Sequence, residues 1–590
     1  MLVLGAVAGK VFGGYPLEFD SGASANAAAG AKTMPAVSKT AAAIATRLAP
    51  LPGRFLREEV RNRERSEIGI SPNFLVFDSI VSPSCEIDLS KFRYSRSGSS
   101  QLSTLEETRE FLMLLPRSTP QAQGVDPAAI ERLLDTLAEK DLRVHSLMVM
   151  RHGSVVAEGW WRPYTAETPH IMFSVSKSFT STAIGIAQDE GLLSVDEPIL
   201  NFFPSYATET ARANTADLRL RHLLSMATGH PVDTMELMRA LPNHDWVELF
   251  LESPIVYPPG EHFLYNSGAS FMLSAALTAR TGLTLREFLA TRLFAPMGMA
   301  TPPWETSPRG MNLGASGLRL RTEEMAAFGQ LYLQRGEWNG SRIFSERWVD
   351  EATVSHVANA GDTFDWQQGY GFQFWRSRHG YRADGAHGQF VLVLPEQDAV
   401  IAITAGTGRG PEVVEAIWEQ LLPGFSSDPL PENSAAVDQL RSRLSGLTLQ
   451  VESFGTDAAS TRFSGGATVT LSANLLGVAQ LRLEPGETAD RLVLTGRDGH
   501  EESHPIGRED WLPGATTFWP HEEMDRVAVA TRGGWIEGGR YRIVQQCIET
   551  PFARTWTISD DADGAGVLVS VGLDHGFWRK ETESLIGTIA

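Results

Sequence analysis

The sequence predicts an α+β fold: an antiparallel sheet flanked by helices, with an all-helical lobe beside it, followed by a C-terminal all-β barrel or sandwich. Three observations lead there. Apolar β segments stand at both ends of the first region, two joined by Arg151-His-Gly153 and four more at 369–375, 381–385, 389–394 and 399–404. Between the two sets, residues 218–299 are mainly helical in their apolar spacing. Past Pro429, short alternating strands recur at regular intervals. A chain of 590 residues exceeds one core. The pattern divides into an extension at 1–105, a main domain at 106–425 with its helical lobe at about 210–305, and a β-rich domain at 426–590.

Residues 1–105 are rich in Ala, Gly and Ser, with a charged patch at 54–67, and read as a disordered extension. A short helix at 41–49 and a strand at 73–80 are the local patterns there. Order begins at Leu115, with a turn-rich entry to a helix at 127–140. Residues 146–150 and 154–158 form a hairpin about Gly153. A helix then runs from Ser176, its apolar face made by Phe179, Ala183, Ile184, Ile186 and Ala187, and Gly191 caps it. In the helical region Gly229 and Gly282 end helices, and the prolines and glycines of 257–268 mark a loop. Helices at 322–334 and 411–422 complete the main domain. After a helix at 435–444, strands are expected at 447–451, 467–471, 478–483, 492–494, 526–531, 540–545, 555–559 and 567–571. Trp511, Phe518, Trp519, Trp535, Trp556, Phe577 and Trp578 either form the core of that domain or line a ligand cup.

Composition narrows the partners. A net charge of -20 repels nucleic acid and anionic membrane, leaving a small neutral or cationic ligand as the easier partner. Cys85 and Cys547 form no disulfide framework. His500, His504 and His521 lack metal-ligand spacing, so no metal and no cofactor is implied. The apolar opening lacks a basic flank and meets Lys10 early, which makes neither a signal peptide nor a span; cytoplasmic is the default location.

The chemistry concentrates in Ser174-Val-Ser-Lys177. Of seven lysines, Lys177 alone has a serine three residues before it. The helix that begins here places Ser174 at its N-terminus and Lys177 one turn on, along the same face. A serine hydroxyl needs a base, and an amine serves only if desolvation or nearby positive charge lowers its pKa. A lysine beside the positive end of a helix meets that condition.

With Ser174-Val-Ser-Lys177 go Leu223-Leu-Ser-Met-Ala-Thr-Gly229, Pro259-Gly-Glu-His-Phe-Leu-Tyr265, Phe294-Ala-Pro-Met-Gly-Met299 and Leu394-Pro-Glu396. Together these resemble the serine β-lactamase, penicillin-binding protein and esterase superfamily, most closely its class C-like branch with family VIII carboxylesterases and 6-aminohexanoate-oligomer hydrolases. The resemblance implies that Ser174 is acylated, that Tyr265 shares its proton with Lys177, and that the oxyanion is held by the backbone N–H groups of Ser174 and Ala386. The second motif reads Tyr265-Asn266-Ser267, so Ser267 stands where lactamases carry an asparagine. The third aligns Ala383-Asp384-Gly385 with Lys-Thr-Gly; an alignment through His387 stays open. Gly385 is retained and the lysine is not, leaving Arg382 or His387 to attract a substrate carboxylate. Trp375, Tyr370 and His387 are either substrate contacts or packing.

The expected activity is hydrolysis of an ester or small amide through an acyl-enzyme on Ser174. A weak β-lactamase or a D-amino-acid peptidase is the alternative, weakened by the missing lysine. From another class comes a silent binding protein or scaffold that works through its C-terminal β domain.

Overall fold

The computed structural model describes residues 114–361, 363–455, 466–474, 476–519, 526–560, 567–574 and 580–589. The expected extension at 1–105, with its helix and strand, lies outside these, as do His521, Phe577 and Trp578.

The main sheet has six antiparallel strands: β1 (Val144–Arg151), β2 (Ser154–Trp160), β3 (Trp375–Ser377), β4 (Gly380–Gly385), β5 (Gln389–Leu394) and β6 (Ala399–Ala405). Their spatial order is β2-β1-β6-β5-β4-β3, so the early hairpin closes against the last strand and the helical region is an insertion between β2 and β3. The register pairs Met148 with Ala402 and Leu392 with Ile401. Alternation then sorts the side chains. Met148, Met150, Val391, Val393, Val400 and Ala402 join the core shared with the helical lobe. Leu147, Val149, Phe390, Leu392, Leu394, Ile401 and Ile403 join a second core on the opposite face. That second face is covered by α1 (Pro127–Glu139), which Asp126 caps and Pro127 opens, together with the helices Gly410–Ala416 and Ser434–Ser445.

Residues 369–375 were expected to be a strand, but β3 begins at Trp375. Gln373 has a φ of 63°, and the carbonyls of Phe372 and Gln373 accept from Ser181 and Ser178 instead of from a neighbouring strand.

The C-terminal region is a ten-stranded antiparallel sheet. Its strands are β7 (Ala467–Leu471), β8 (Val478–Glu484), β9 (Asp490–Gly496), β10 (Glu501–Ile506), β11 (Leu512–Thr516), β12 (Val527–Ile536), β13 (Arg540–Cys547), β14 (Ala553–Asp560), β15 (Val567–Asp574) and β16 (Lys580–Ile589). The order is β10-β9-β8-β7-β16-β15-β14-β13-β12-β11. It is a meander rolled so that its first strand pairs with its last, with one break between β10 and β11. Those two edge strands carry Pro505 and Pro513, which cannot donate to a ladder. The sheet is therefore not a closed barrel. Its interior is filled by Val469, Leu481, Leu492, Ile506, Ile543, Trp556, Val569 and their neighbours. Trp556 is core, and the interior is packed rather than a cup. The strand expected at 447–451 is absent apart from one bridge at Thr448. Among the described residues, no helix is long and apolar enough to cross a membrane.

Candidate active site

Ser174 lies in a single 3-10 turn, Phe173–Val175, that runs directly into α2 (Ser176–Asp189). The helix is buried from Ser176 to Ala187, and its hydroxyls fix it on every side. Ser178 Oγ donates to Gln373 O at 2.7 Å, Thr180 Oγ1 to Gly314 O at 2.7 Å and Ser181 Oγ to Phe372 O at 2.7 Å. Ser176 Oγ accepts from the Leu318 N–H at 3.2 Å. Gly185 lets Trp348 approach; a Cβ there would stand 2.3 Å from its ring. A serine- and threonine-rich helix can be buried this way because each hydroxyl finds a carbonyl or N–H. Phe173, immediately before Ser174, holds a φ of 44°, a strained value for a bulky residue.

Lys177 is 2% exposed, with Nζ 3.0 Å from Ser174 Oγ. Nζ also donates to Ala315 O at 2.9 Å and reaches Ser267 Oγ at 3.5 Å. Burial pushes its pKa down to about 7; the charges of Asp233 and Asp384 act upward and that of Arg239 downward. In the neutral amine, two N–H bonds directed at Ala315 and Ser267 leave the lone pair for the Ser174 hydroxyl.

Tyr265 comes from the loop ahead of α3 (Ser267–Thr281). Lys177 Nζ sits 4.8 Å from the centroid of its ring, which stacks on Trp375 at 5.7 Å and meets Tyr370 edge-on at 6.2 Å. Asn266 holds this corner together. It caps α3 and is fully buried, and its Oδ1 accepts from Thr234 N at 3.1 Å and Thr234 Oγ1 at 2.9 Å. Ser267, the first residue of α3, faces Lys177. Trp375 is half-buried and lines the site, whereas Tyr370 is 1% exposed and serves as packing behind Tyr265.

Gly385 ends β4 against the nucleophile turn. A Cβ there would come within 2.4 Å of Met172 O and 3.2 Å of Val175 N, so only glycine lets the strand approach this closely. Ala386 follows at that junction. His387 sits in the turn to β5 with a φ of 62°, its ring 5.2 Å from that of Phe173. The register thus puts Gly385, not His387, at the strand end beside Ser174.

Arg382 does not offer the cation expected from the sequence. It is fully buried, and its guanidinium donates to Asp384 at 2.9 Å, Arg376 O at 3.0 Å and Ser377 Oγ at 2.5 Å while lying 4.0 Å over Trp366. Its charge is spent on Asp384. Burial pushes the Asp384 carboxyl up, while Arg382, the Trp366 N–H and Lys177 pull it down.

Residues 130–424, half of the chain, match the model of the β-lactamase family. The chain belongs to the β-lactamase family. Its enzyme class is serine hydrolase. The 6-aminohexanoate-dimer hydrolase of Paenarthrobacter ureafaciens is 24% identical over 291 residues, covering 43% of this chain and 71% of that protein. Penicillin-binding protein 4 of Amycolatopsis lactamdurans is 24% identical over 341 residues, 51% of this chain and 86% of that one. A crystal structure of a family VIII carboxylesterase aligns at 16% identity with a TM-score of 0.39, covering 52% of this chain and 99% of that one.

Sequence reasoning missed three contributors in this β-lactamase-family chain. Ala315 acts through its carbonyl, which leaves no side-chain signal. Gln373 ties α2 to the helical lobe, its side chain bonding Ser270 Oγ at 2.6 Å and Leu224 O at 2.8 Å. Asp384 has the wrong sign to attract a substrate carboxylate, yet its charge is felt at Lys177.

Proposed function

We propose that this hydrolase cleaves esters or small amides of neutral substrates through an acyl-enzyme on Ser174. Ser174 Oγ attacks the carbonyl carbon as its proton passes to Lys177 Nζ, and the tetrahedral oxyanion is held by the N–H groups of Ser174 and Ala386. The proton then goes to the leaving alcohol or amine by way of Tyr265, and the C–O or C–N bond breaks. Water repeats the sequence on the acyl-enzyme, releasing the acid and restoring Ser174.

The observation that carries this reading is a buried Lys177 amine 3.0 Å from Ser174 Oγ, its pKa lowered to about 7, with no carboxylate in hydrogen-bond contact among the described residues. Such a group is free base for much of the time at neutral pH. Substrate charge follows from the third motif. Arg382 is committed to Asp384, and Asp233 and Asp384 make the field at Lys177 negative on balance, so a carboxylate-bearing lactam lacks its partner here. A neutral ester or amide suits the site better.

The test is intact mass after treatment with a fluorophosphonate, followed by peptide mapping. One adduct on Ser174, absent in Ser174→Ala, is expected. No adduct on folded protein overturns the reading.

A further inference from the structure

The C-terminal sheet reaches the nucleophile through residues 548–552, the loop joining β13 to β14. Its main chain is bonded to the hydrolase domain. The Ile171 N–H donates to Glu549 O at 2.9 Å, and Tyr164 Oη donates to Thr550 O at 2.7 Å while accepting from Gln546 Nε2 at 2.8 Å. The loop is also braced internally. Phe552 O accepts from Cys547 N at 2.9 Å and Gln546 Nε2 at 2.8 Å, and Phe552 N donates to Thr550 Oγ1 at 3.1 Å. It is a rigid projection, not a loose strap.

At its end, just before β14, the ring of Phe552 meets two residues edge-on: Phe173, with centroids 6.1 Å apart, and His387, at 5.6 Å. Phe173 precedes Ser174, and His387 follows Ala386. Both hold left-handed backbone, at φ 44° and 62°, which persists in residues other than glycine only where the surroundings enforce it. Ile171, Trp519, Val527, Val529 and Cys547 complete the cluster, and Ala386 packs against it. One side chain from the C-terminal sheet therefore packs against both backbone turns that present the proposed oxyanion donors.

We propose that Phe552 is a positioning residue for the Ser174 centre, so that the C-terminal sheet is a working part of the hydrolase rather than a separate binding module. The inference rests on the acyl-enzyme reading above. Phe552 touches no reacting atom. It holds Phe173 and His387 in their strained conformations, and through them the N–H groups of Ser174 and Ala386.

The test measures fluorophosphonate labelling of Ser174 in the full-length protein, separating the maximal inactivation rate from the binding constant, with thermal midpoints recorded alongside. Phe552→Ala is expected to slow the maximal rate ~10- to 100-fold, the effect of a displacement approaching 1 Å, with binding unchanged. Phe552→Leu should recover part of it. Because both residues act on one turn, Phe173→Gly combined with Phe552→Ala should be less damaging than the product of the two single effects. Labelling of Phe552→Ala at the wild-type rate overturns the inference, as does a change in binding alone or multiplicative effects in the pair. If the alanine variant does not fold, Phe552→Leu carries the comparison: a slower maximal rate with unchanged binding supports the inference, and an unchanged rate overturns it. Wild-type protein that fails to label would overturn the acyl-enzyme reading itself, whereas equal labelling of wild type and variant sinks this inference alone.

Discussion

Lys177 supplies a prediction in two parts, one kinetic and one thermodynamic. With a pKa of about 7 in place of the ordinary 10.5, about half of the amine is free base at pH 7, against ~0.03% for an exposed lysine, a gain of ~1,000-fold. The rate of Ser174 acylation should rise with pH, reach half its maximum near pH 7 and level off above it. The stability effect has the same sign but lies in a higher pH window. A lysine with a depressed folded-state pKa leaves the folded chain short of a proton that the unfolded chain still binds between pH 7 and 10.5, so stability rises with pH across that window. Below pH 7 both states are protonated and the full penalty of burying the ammonium remains. Lys177→Met keeps the apolar stem and removes this dependence. Between pH 7 and 9.5 the stability of the wild type should gain ~3 kcal/mol on the variant. Time-resolved fluorophosphonate labelling from pH 5 to 10 reads the first part, and urea unfolding of the two proteins at both pH values reads the second. A half-maximal rate at pH 9 or above, together with a stability difference flat in pH, would refute the reasoning.

Two further substitutions probe the partners of Lys177. Tyr265→Phe should slow turnover ~100- to 10,000-fold, the range for losing a general acid–base, yet leave measurable labelling at Ser174; turnover at the wild-type rate removes Tyr265 from proton transfer. Gly385→Ala forces a Cβ to within 2.4 Å of Met172 O, so β4 or the nucleophile turn must shift. A loss of ~1–3 kcal/mol in stability and at least ~10-fold in acylation is expected, and a variant with an unchanged thermal midpoint and rate would mean that the contact is easily relaxed.

The parts of the fold legible in the sequence were those fixed by local pattern. The hairpin about Gly153, the helix capped by Asp126 and the continuous apolar runs 389–394 and 399–404 each carry their own local signal. Residues 369–375 misled because Tyr370, Phe372 and Phe374 alternate as in a strand. The alternation instead reflects an irregular segment whose aromatic rings and carbonyls are taken up by tertiary contacts with other parts of the fold. Glu501–Ile506, Leu512–Thr516 and Lys580–Ile589 were missed for the converse reason: two contain proline and the third is charged at its start. Proline is tolerated in the first two because they are the sheet's edges, which no local pattern announces. At the site, a spacing of three along a helix was enough to bring Ser174 and Lys177 together. Arg382 was misjudged because its partner, Asp384, lies two positions along the same strand, and a neighbouring pair of opposite charges reads in sequence as two independent groups. Phe552 had no signal at all. It meets Phe173 across nearly 380 residues, and only the rolled sheet brings the two rings together.

The burial of the Arg382–Asp384 pair follows from what Lys177 must be. A lysine in direct contact with a carboxylate stays charged, and its amine is useless as a base. Asp384 is near enough to raise the pKa of Lys177 through space, and an unpaired carboxylate in this buried position would either protonate or seek the ammonium. Arg382 opposes both. Its guanidinium, bonded at 2.9 Å and lying over Trp366, pulls the Asp384 carboxyl down, while the Trp366 ring N–H supplies a further hydrogen bond to the carboxylate. A buried pair of this kind contributes little net stability, because desolvation offsets most of the attraction. Asp384 still acts upward on Lys177 through space, but burial is the larger influence and holds the amine's pKa at about 7. The arginine that the sequence seemed to offer to a substrate is instead committed to a carboxylate two positions along its own strand.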